Sequence, residues 1–331
     1  MLDRERRLLE TEIPGHFIFE VPPHGFSPAR ASDTELRRYG LPHRPDPKKF
    51  PKQARLWLHM MNRIKRFVKP KLTLRPDVVH AGGDATSTSS IWAGLTANSA
   101  LAYTQIWGTW TVPQAATPGG AAGIYKCAMW VGLQDGQSLF QAGTDCTPPV
   151  LPNPTFGSQN DQCFAWYEWF PGPAVQIGLE VLPGHAVGVN LEPLEIGSSQ
   201  GVVSMINYTT GLAITPIVVS PPTQSLTGGT ISPPITALPS KQADWILERN
   251  ALVINGTAVP QALADFGIAS FMFGGAVEFD ATNGGKTTQD LLTLGENDQA
   301  TLINMVAADN VTLIAQAEEQ PGLVIFYSGP T

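Results

Sequence analysis

The stretches "IYKCAMWVGL" (residues 124–133) and "AWYEWFP" (residues 165–171) are short, apolar and aromatic, and a glycine or proline closes or follows each of them. Such residues favour β-strands. From about Val78 onward similar runs recur at roughly ten-residue spacing without helical patterns between them, as in "YTQIWGTWTVP" (103–113) and "GLVIFYSG" (322–329). This texture predicts an all-β fold, an antiparallel sandwich of two β-sheets.

The composition agrees with this prediction. Charged residues make up 15% of the 331 residues, and the chain contains 32 glycines and 29 prolines. The charged fraction is well below the usual value of about a quarter, and the glycines and prolines indicate many turns and few long helices. The length allows one large β domain or two ordinary ones.

Charge divides the chain into two parts. Residues 1–76 contain 17 Lys and Arg against 8 Asp and Glu, a net charge of +9, whereas the remainder carries −16. We therefore predict a basic N-terminal segment, residues 1–76, followed by a sandwich domain, residues 77–331. Opposite charges within one chain favour contact between the two parts, and a nucleic-acid-binding arm is the less favoured alternative.

The basic segment contains two helical patterns. "ASDTELRRYGLPHRPDP" (31–47) has a capping-box pattern at Ser32 or Asp33, and Gly40 and Pro42 end it. "FPKQARLWLHMMNRIKRFVKP" (50–70) predicts a basic amphipathic helix. We expect this helix to pack on the sandwich rather than on a membrane, and no stretch of 18 apolar residues predicts a transmembrane span.

Several common active sites are excluded. "GSSQG" (197–201) matches a serine nucleophile elbow, but a strand pattern follows it and no histidine lies beyond His185, so a tight hairpin is the better interpretation. The sandwich is too poor in histidine for a histidine-based metal site, and no nucleotide-binding motif is present, so we expect no metal and no cofactor. Cys146 and Cys163 flank a proline-rich loop and could form a disulfide, with Cys127 buried.

What remains are amide and acidic side chains embedded among tryptophans. Gln141 lies in "SLFQAGTD" (138–145), Glu168 in "AWYEWFP" and Glu248 in "ADWILERN" (243–250). A carboxylate in an apolar strand usually has a partner or a task, because burying it unpaired is costly. Glu168 or Glu248, taken alone, could instead be an edge-strand carboxylate that faces water.

These segments resemble the eqolisins, the glutamic peptidase family of acid endopeptidases. The resemblance implies an antiparallel double β-sandwich of the jelly-roll or concanavalin-like type. "WVGLQDG", "LFQAGTD" and "AWYEW" are similar to the family's W-V-G-x-D-G, L-Q-T-G-x-D and A-W-Y-E-W motifs, and "ADWILE" to its A-E-F-I-x-E motif. The similarity spans roughly residues 88 to 281 in order. It implies a pepstatin-insensitive peptidase that acts on protein or peptide substrates in acid and is made as a zymogen.

The resemblance also implies which residues act. Gln141 takes the place of the catalytic glutamine and Glu248 that of the catalytic glutamate. Five further residues match surrounding active-site positions: Trp92, Trp130, Asp145, Trp166 and Glu168. One departure is Phe164, which replaces an aspartate of the family motif.

The chemistry is consistent with those groups. A glutamate among tryptophans can take a proton from water and return it to a leaving amine, so Glu248 would be base and then acid. The Gln141 amide would donate to the developing oxyanion and hold the attacking water. The basic segment would then be an intramolecular inhibitor that is released as carboxylates protonate.

Other expectations complete this interpretation. We expect a monomer with no nucleic-acid or membrane partner. The N-terminus lacks the apolar core of a signal peptide, yet acid action implies secretion or an acidic compartment outside the cytoplasm. Two alternatives stay open: a catalytically silent sandwich that binds carbohydrate or peptide in a tryptophan-lined groove, and a glycosidase that uses Glu168 and Glu248 as its carboxylate pair.

Overall fold

The architecture is that of a computed structural model, which carries two helices and 24 strands in the part of the chain that it describes. Residues beyond position 86 supply most of the strands, and residues 7–80 supply both helices and five short strands. The described residues are 7–80, 86–120, 123–136, 138–149, 162–195, 197–226, 228–232, 234–235, 238, 240–254, 257–280, 285–291, 300–320 and 322–329.

The N-terminal segment forms both predicted helices. Ser32 caps the first helix in a capping box with Glu35, which confirms the start that the sequence pattern predicts. The second helix begins at a proline and is shorter than predicted. The elements are α1 (Asp33–Arg38), α2 (Pro51–Arg63), β1 (Leu8–Glu10), β2 (His16–Phe19), β3 (Arg66–Val68), β4 (Leu72–Arg75) and β5 (Val78–Val79).

The β-rich body follows and includes a 3-10 turn at Pro118–Gly120. Its strands are β6 (Thr88–Ser89), β7 (Trp92–Thr111), β8 (Tyr125–Asp135), β9 (Ser138–Cys146), β10 (Cys163–Phe170), β11 (Ala174–Ile177), β12 (Ala186–Pro193), β13 (Gly201–Asn207), β14 (Leu212–Ile214), β15 (Ile217–Val219), β16 (Ser240–Glu248), β17 (Ala251–Ile254), β18 (Thr257–Pro260), β19 (Ala262–Leu263), β20 (Ile268–Asp280), β21 (Gly285–Asp290), β22 (Ala300–Val306), β23 (Leu313–Gln320) and β24 (Gly322–Tyr327).

The long strand β7 joins two sheet layers. Its first part pairs with β16 and β22, and its second part pairs with β12 and β20. The first layer continues through β8, β9, β10 and β11. The indole Nε1 of Trp110 donates to Thr144 Oγ1 at 3.0 Å, which links the second part of β7 to β9 in the first layer. The all-β sandwich predicted from the sequence is therefore confirmed.

Alternation along the first-layer strands produces two apolar clusters. On β8, Met129 and Val131 enter the main core, whereas Ala128 and Trp130 enter a second, smaller cluster with Trp166. This division follows from the two-residue period of a strand, which sends successive side chains to opposite faces. The smaller cluster marks the face on which the predicted site residues lie.

The N-terminal segment is built into the sheets. Strand β2 pairs with β15, β3 runs parallel to β14, and β4 pairs with β11. Trp57 and Met61 of α2 pack against Ile206 and Ala213 of the body, as the packing alternative predicts. No helix among the described residues is long and apolar enough to cross a membrane.

The sequence pattern did not anticipate these N-terminal strands. It placed Ile64 and Val68 on the apolar face of the second helix, but the helix ends at Arg63. Both Lys65 and Arg66 donate their backbone N–H groups to Gly211 O, and Arg66–Val68 then follows β14. Pairing with a distant strand overrides the local helical pattern here.

Two cysteines form a disulfide and the third does not. Cys146 and Cys163 lie directly opposite each other on β9 and β10 and are joined by an S–S bond. Cys127 is a buried free thiol on the neighbouring strand β8. The pairing proposed from the flanking loop is thus confirmed.

Candidate active site

Four neighbouring strands and the start of β7 bring the predicted site residues to one face of the first layer. Glu168 on β10 lies directly opposite Gln141 on β9, and Glu248 on β16 lies directly opposite Trp92 on β7. All the predicted site residues are at most 1% exposed: Trp92, Trp130, Gln141, Asp145, Trp166, Glu168 and Glu248. Burial of so many polar groups on one face is costly unless they bind one another or a ligand.

A glycine makes room for the tryptophans at this face. Gly143 is the register partner of both Trp130 and Trp166. A Cβ atom at this position would lie 2.6 Å from the Cβ of Trp130, closer than real Cβ atoms approach. The absence of a side chain at position 143 therefore lets β9 lie close to the backbone of β8 at Met129 and Trp130.

The Glu248 carboxylate is held by a tryptophan. Its Oε2 accepts a hydrogen bond of 2.7 Å from the indole Nε1 of Trp130. Trp92 packs edge to face against Trp130, with ring centroids 5.1 Å apart. The carboxylate is thus oriented by a donor and enclosed by aromatic rings, rather than turned to solvent.

A residue that the sequence analysis did not single out, His80, fills the space between Trp166, Gln141 and Glu168. Its ring stacks on Trp166 with centroids 3.4 Å apart and an interplanar angle of 4°. Its backbone N–H donates to Glu168 Oε2 at 3.0 Å, and its Nδ1 lies 3.1 Å from the same oxygen.

Gln141 completes the contacts of His80. The Gln141 Nε2 donates to the His80 carbonyl oxygen at 2.6 Å and lies 3.4 Å from Glu168 Oε2. The Gln141 Oε1 has no hydrogen-bonding partner among the described residues. The amide therefore donates to a peptide carbonyl and keeps one acceptor without a partner among the described residues.

Burial changes the titration of the groups around His80. It raises the pKa of Glu168 well above its usual value, and the nearby charge of Glu248 raises it further. Burial also lowers the pKa of His80 well below 6.5, and the cations Lys126 and Arg75 add to this effect. Both shifts oppose charge on the two groups, which are in contact through His80 Nδ1 and Glu168 Oε2.

Asp145 belongs to a separate contact group. It lies four residues from Gln141 on β9, about 13 Å along the strand. Its Oδ2 accepts from Lys126 Nζ at 3.3 Å and from Asn250 Nδ2 at 2.7 Å. Burial raises the pKa of Asp145, and the charge of Lys126 opposes that shift. Asp145 supports the strands of the site without contacting His80.

Two cations lie beside the residue that departs from the family motif. The guanidinium carbon of Arg75 is 4.8 Å from the ring centroid of Phe164, and Lys126 Nζ is 5.9 Å from it. Lys126 thus pairs with Asp145 and flanks Phe164, where the family motif has a second acidic residue. Asp161, the other acidic residue considered for this position, lies outside the described residues.

Sequence reasoning missed His80 and Lys126. His80 follows two valines at the junction of the two predicted domains, and Lys126 interrupts an otherwise apolar strand. The interrupting charge was a usable signal for Lys126, whereas no local pattern marks His80. Among the described residues, no group of three or more His, Cys, Asp or Glu side chains is arranged to hold a metal ion.

Comparisons with known proteins identify the family and the fold. A model of the Peptidase A4 family matches residues 90–320. Crystal structures of scytalido-glutamic peptidase with a peptide-based transition-state analogue and with a transition-state analogue inhibitor have TM-scores of 0.53 and 0.52. A structure of SCP-B, an eqolisin in complex with the tripeptide Ala-Ile-His, has a TM-score of 0.51.

These structures share the fold with little sequence in common. Each is 16% identical to this chain, and the matches cover 72% of this chain and 98% of the other. No curated protein sequence matches significantly. The family match spans well over half of the chain and includes every predicted site residue. The chain therefore belongs to the Peptidase A4 family, the eqolisins, and is a glutamic peptidase.

Proposed function

We propose that this chain is an acid-acting, pepstatin-insensitive endopeptidase that hydrolyses peptide bonds with Gln141 and Glu248 and is made as a latent precursor. One observation carries the proposal. The Gln141 amide donates to a peptide carbonyl oxygen at 2.6 Å, within the buried face that also holds the Glu248 carboxylate. That contact is the one an oxyanion-hole donor makes with the carbonyl under attack.

The proposed reaction uses two groups in sequence. Glu248, as a carboxylate, takes a proton from the attacking water while the hydroxyl oxygen adds to the carbonyl carbon. The Gln141 N–H stabilises the negative oxygen that forms, and protonated Glu248 then gives its proton to the departing nitrogen. The raised pKa of Glu168 keeps that neighbour protonated, so that Glu248 need not ionise beside a second carboxylate.

Latency follows from the occupation of the site. His80 and the strand before it lie where a substrate would, and residues 7–76 hold this strand through β2, β3 and β4. In this proposal, residues 1–76 anchor the inhibitor rather than block the site with their Lys and Arg side chains. The chain acts alone, as a monomer, until acid frees the groove.

Acid favours release of His80 from the site because docking lowers the pKa of its imidazole. The docked imidazole has a lowered pKa, so it binds no proton where a released imidazole would. Docking is fully favourable above the ordinary pKa of 6.5 and is progressively lost as the pH falls below it. The Cys146–Cys163 disulfide supports a location in an oxidising compartment outside the cytoplasm.

A protein-digestion assay tests this function. Full-length protein is incubated with denatured casein and pepstatin at about pH 4, where carboxyl groups begin to protonate. We expect cleavage by the wild type and its loss in Glu248→Gln and Gln141→Ala. The exposed Glu180→Gln is the matched control and should retain activity. Absence of cleavage by the wild type at every acidic pH would contradict the proposal.

A further inference from the structure

The segment that ends at His80 is bound as an extended peptide. Val78 and Val79 form β5, which pairs antiparallel with β17 through Leu252 and Ala251. The backbone N–H of Val253 donates to Asp77 O at 3.0 Å. Both valines are buried. Addition of a strand to a sheet edge is a common way of holding peptides, in which the backbone supplies affinity and alternate side chains supply selectivity.

His80 itself is held at three points. Its ring stacks on Trp166, its two donors point to Glu168 Oε2, and its carbonyl oxygen accepts from Gln141. The carbonyl at the oxyanion donor is the one whose C–N bond a hydrolase would break. The side chain next to Trp166 is therefore that of the residue on the amino side of the broken bond.

We propose that Trp166 and Glu168 form the subsite for the residue on the amino side of the cleaved bond, that this subsite selects histidine, and that the enzyme first cleaves its own chain after His80. This inference rests on the function proposed above. It adds the class of peptide that the site prefers and the position of the first cut.

The two contacts of the ring explain the selection. A planar ring is needed to lie flat on Trp166 at 3.4 Å, and aliphatic side chains lack one. The ring Nδ1 adds a contact of 3.1 Å to Glu168 Oε2 beside the backbone N–H of the same residue, and phenylalanine cannot make this contact. A site built to hydrogen-bond a polar group of the substrate discriminates against an analogue that lacks that group. Histidine has both the plane and the donor.

The ring nitrogen that faces away from Glu168 sets the charge state of the bound imidazole. His80 Nε2 is buried and has no acceptor among the described residues. The charges that act on the imidazole are those of Lys126 and Arg75, Glu168 lies against Nδ1, and Glu248 acts on Glu168. The subsite thus takes a neutral imidazole.

The proposed first cut is a balanced hydrolysis. The oxygen of water adds to the carbonyl carbon of His80, and the bond from that carbon to the nitrogen of the next residue in sequence, Ala81, breaks. One water proton passes through Glu248 to that nitrogen, and the other stays on the new carboxyl group or enters solvent. The products are residues 1–80 and residues 81–331.

Two measurements test the inference. In the first, wild type and His80→Leu are incubated in parallel at several pH values between about 6.5 and 4, because docking of His80 is progressively lost below 6.5, and the new N-terminus is identified by mass spectrometry at early times. We expect cleavage after residue 80 in the wild type and at least about tenfold slower cleavage there in His80→Leu. Equal rates at this bond, or a first cut elsewhere, would overturn the inference.

The second measurement uses peptides of sequence Val-Val-X-Ala with blocked ends, where X is His, Phe or Leu, and the processed enzyme. Near pH 6.5, where much of a free imidazole is neutral, we expect kcat/KM for His to exceed that for Leu by at least about tenfold. The His-to-Phe ratio should fall as the pH drops and should be lost in Glu168→Ala, whereas the Phe-to-Leu ratio should survive in that variant.

These ratios separate the inference from the function on which it rests. If cleavage requires Glu248 but kcat/KM is the same for the His, Phe and Leu peptides, only the proposed subsite is overturned. Cleavage that persists in Glu248→Gln, or that never occurs with any peptide or with casein, overturns the proposed function and the subsite together. A Trp166→Phe variant, which keeps a flat ring at the subsite, should retain the preference for planar side chains.

Discussion

The occupation of the site by His80 predicts a pH dependence with a defined slope. The docked imidazole has a pKa well below 6.5, whereas a released imidazole titrates near 6.5. Each pH unit below that value therefore favours the released state by about 1.4 kcal/mol, or tenfold. Between pH 6.5 and 4.5 the effect reaches about 2.7 kcal/mol, or 100-fold, unless the docked imidazole begins to titrate first.

The assay measures release without catalysis. Full-length Glu248→Gln, which should not cleave itself, is titrated with the peptide Ac-Val-Val-Phe-NH2, which carries no titrating group. Because docked His80 competes for the groove, the apparent Kd is the intrinsic Kd divided by the fraction of released chains. We expect the apparent Kd to fall by up to about tenfold per pH unit below 6.5.

His80→Phe is the decisive comparison, because it keeps a flat ring on Trp166 and removes the titrating group. Glu168 acts in the opposite direction, since burial raises its pKa and proton uptake there favours docking. This effect is present in both proteins, so the difference between their slopes isolates His80. The exposed His24→Gln serves as a control. If the apparent Kd changes with pH by the same slope in the protein that keeps His80 and in the His80→Phe variant, the reasoning is refuted.

Three further predictions concern the support of the site. Gly143→Ala should lower the free energy of unfolding by about 2 kcal/mol and peptidase activity by more than tenfold, measured by urea unfolding and peptide cleavage, because its Cβ would overlap the backbone oxygen of Met129 and the Cα and Cβ atoms of Trp130. Replacing both Cys146 and Cys163 by alanine should cost about 3 kcal/mol in urea unfolding, given their separation of 17 residues; a loss below about 0.5 kcal/mol would contradict this. Lys126→Met should lower the free energy of unfolding by about 3 kcal/mol at neutral pH, because it leaves the Asp145 carboxylate without its cation. The loss should be smaller in acid, where that carboxyl group is protonated, and a loss that does not depend on pH would argue against the ion pair.

The sandwich and the alignment of its site were predictable because they follow from short-range patterns. Alternation along "AWYEWFP" sends Trp166 and Glu168 to the same face, and the same rule applies to "ADWILE". The family motifs supplied the partner strand with Gln141. The capping box of α1 was equally local, since Ser32 and Glu35 satisfy each other's backbone within one turn.

The remainder depends on contacts between distant residues. His80 reaches Glu168 across 88 positions, and no periodicity encodes that approach. The strands of the N-terminal segment are three or four residues long, so their identity comes from the partner rather than from their own sequence. The same holds for Lys126, whose position in an apolar strand makes sense only beside Asp145.

The N-terminal segment has a second function, because its strands β2, β3 and β4 are hydrogen-bonded into the sheets of the body. A single cut after residue 80 severs one covalent link but none of the hydrogen bonds to β15, β14 and β11. The activated enzyme would then consist of two chains, residues 1–80 and residues 81–331. The first chain would still cover strand edges that promote aggregation when they are exposed. A gene that begins at residue 81 would encode the catalytic groups without the strands that cover those edges. Co-expressing residues 1–80 as a separate chain with residues 81–331 should restore soluble protein.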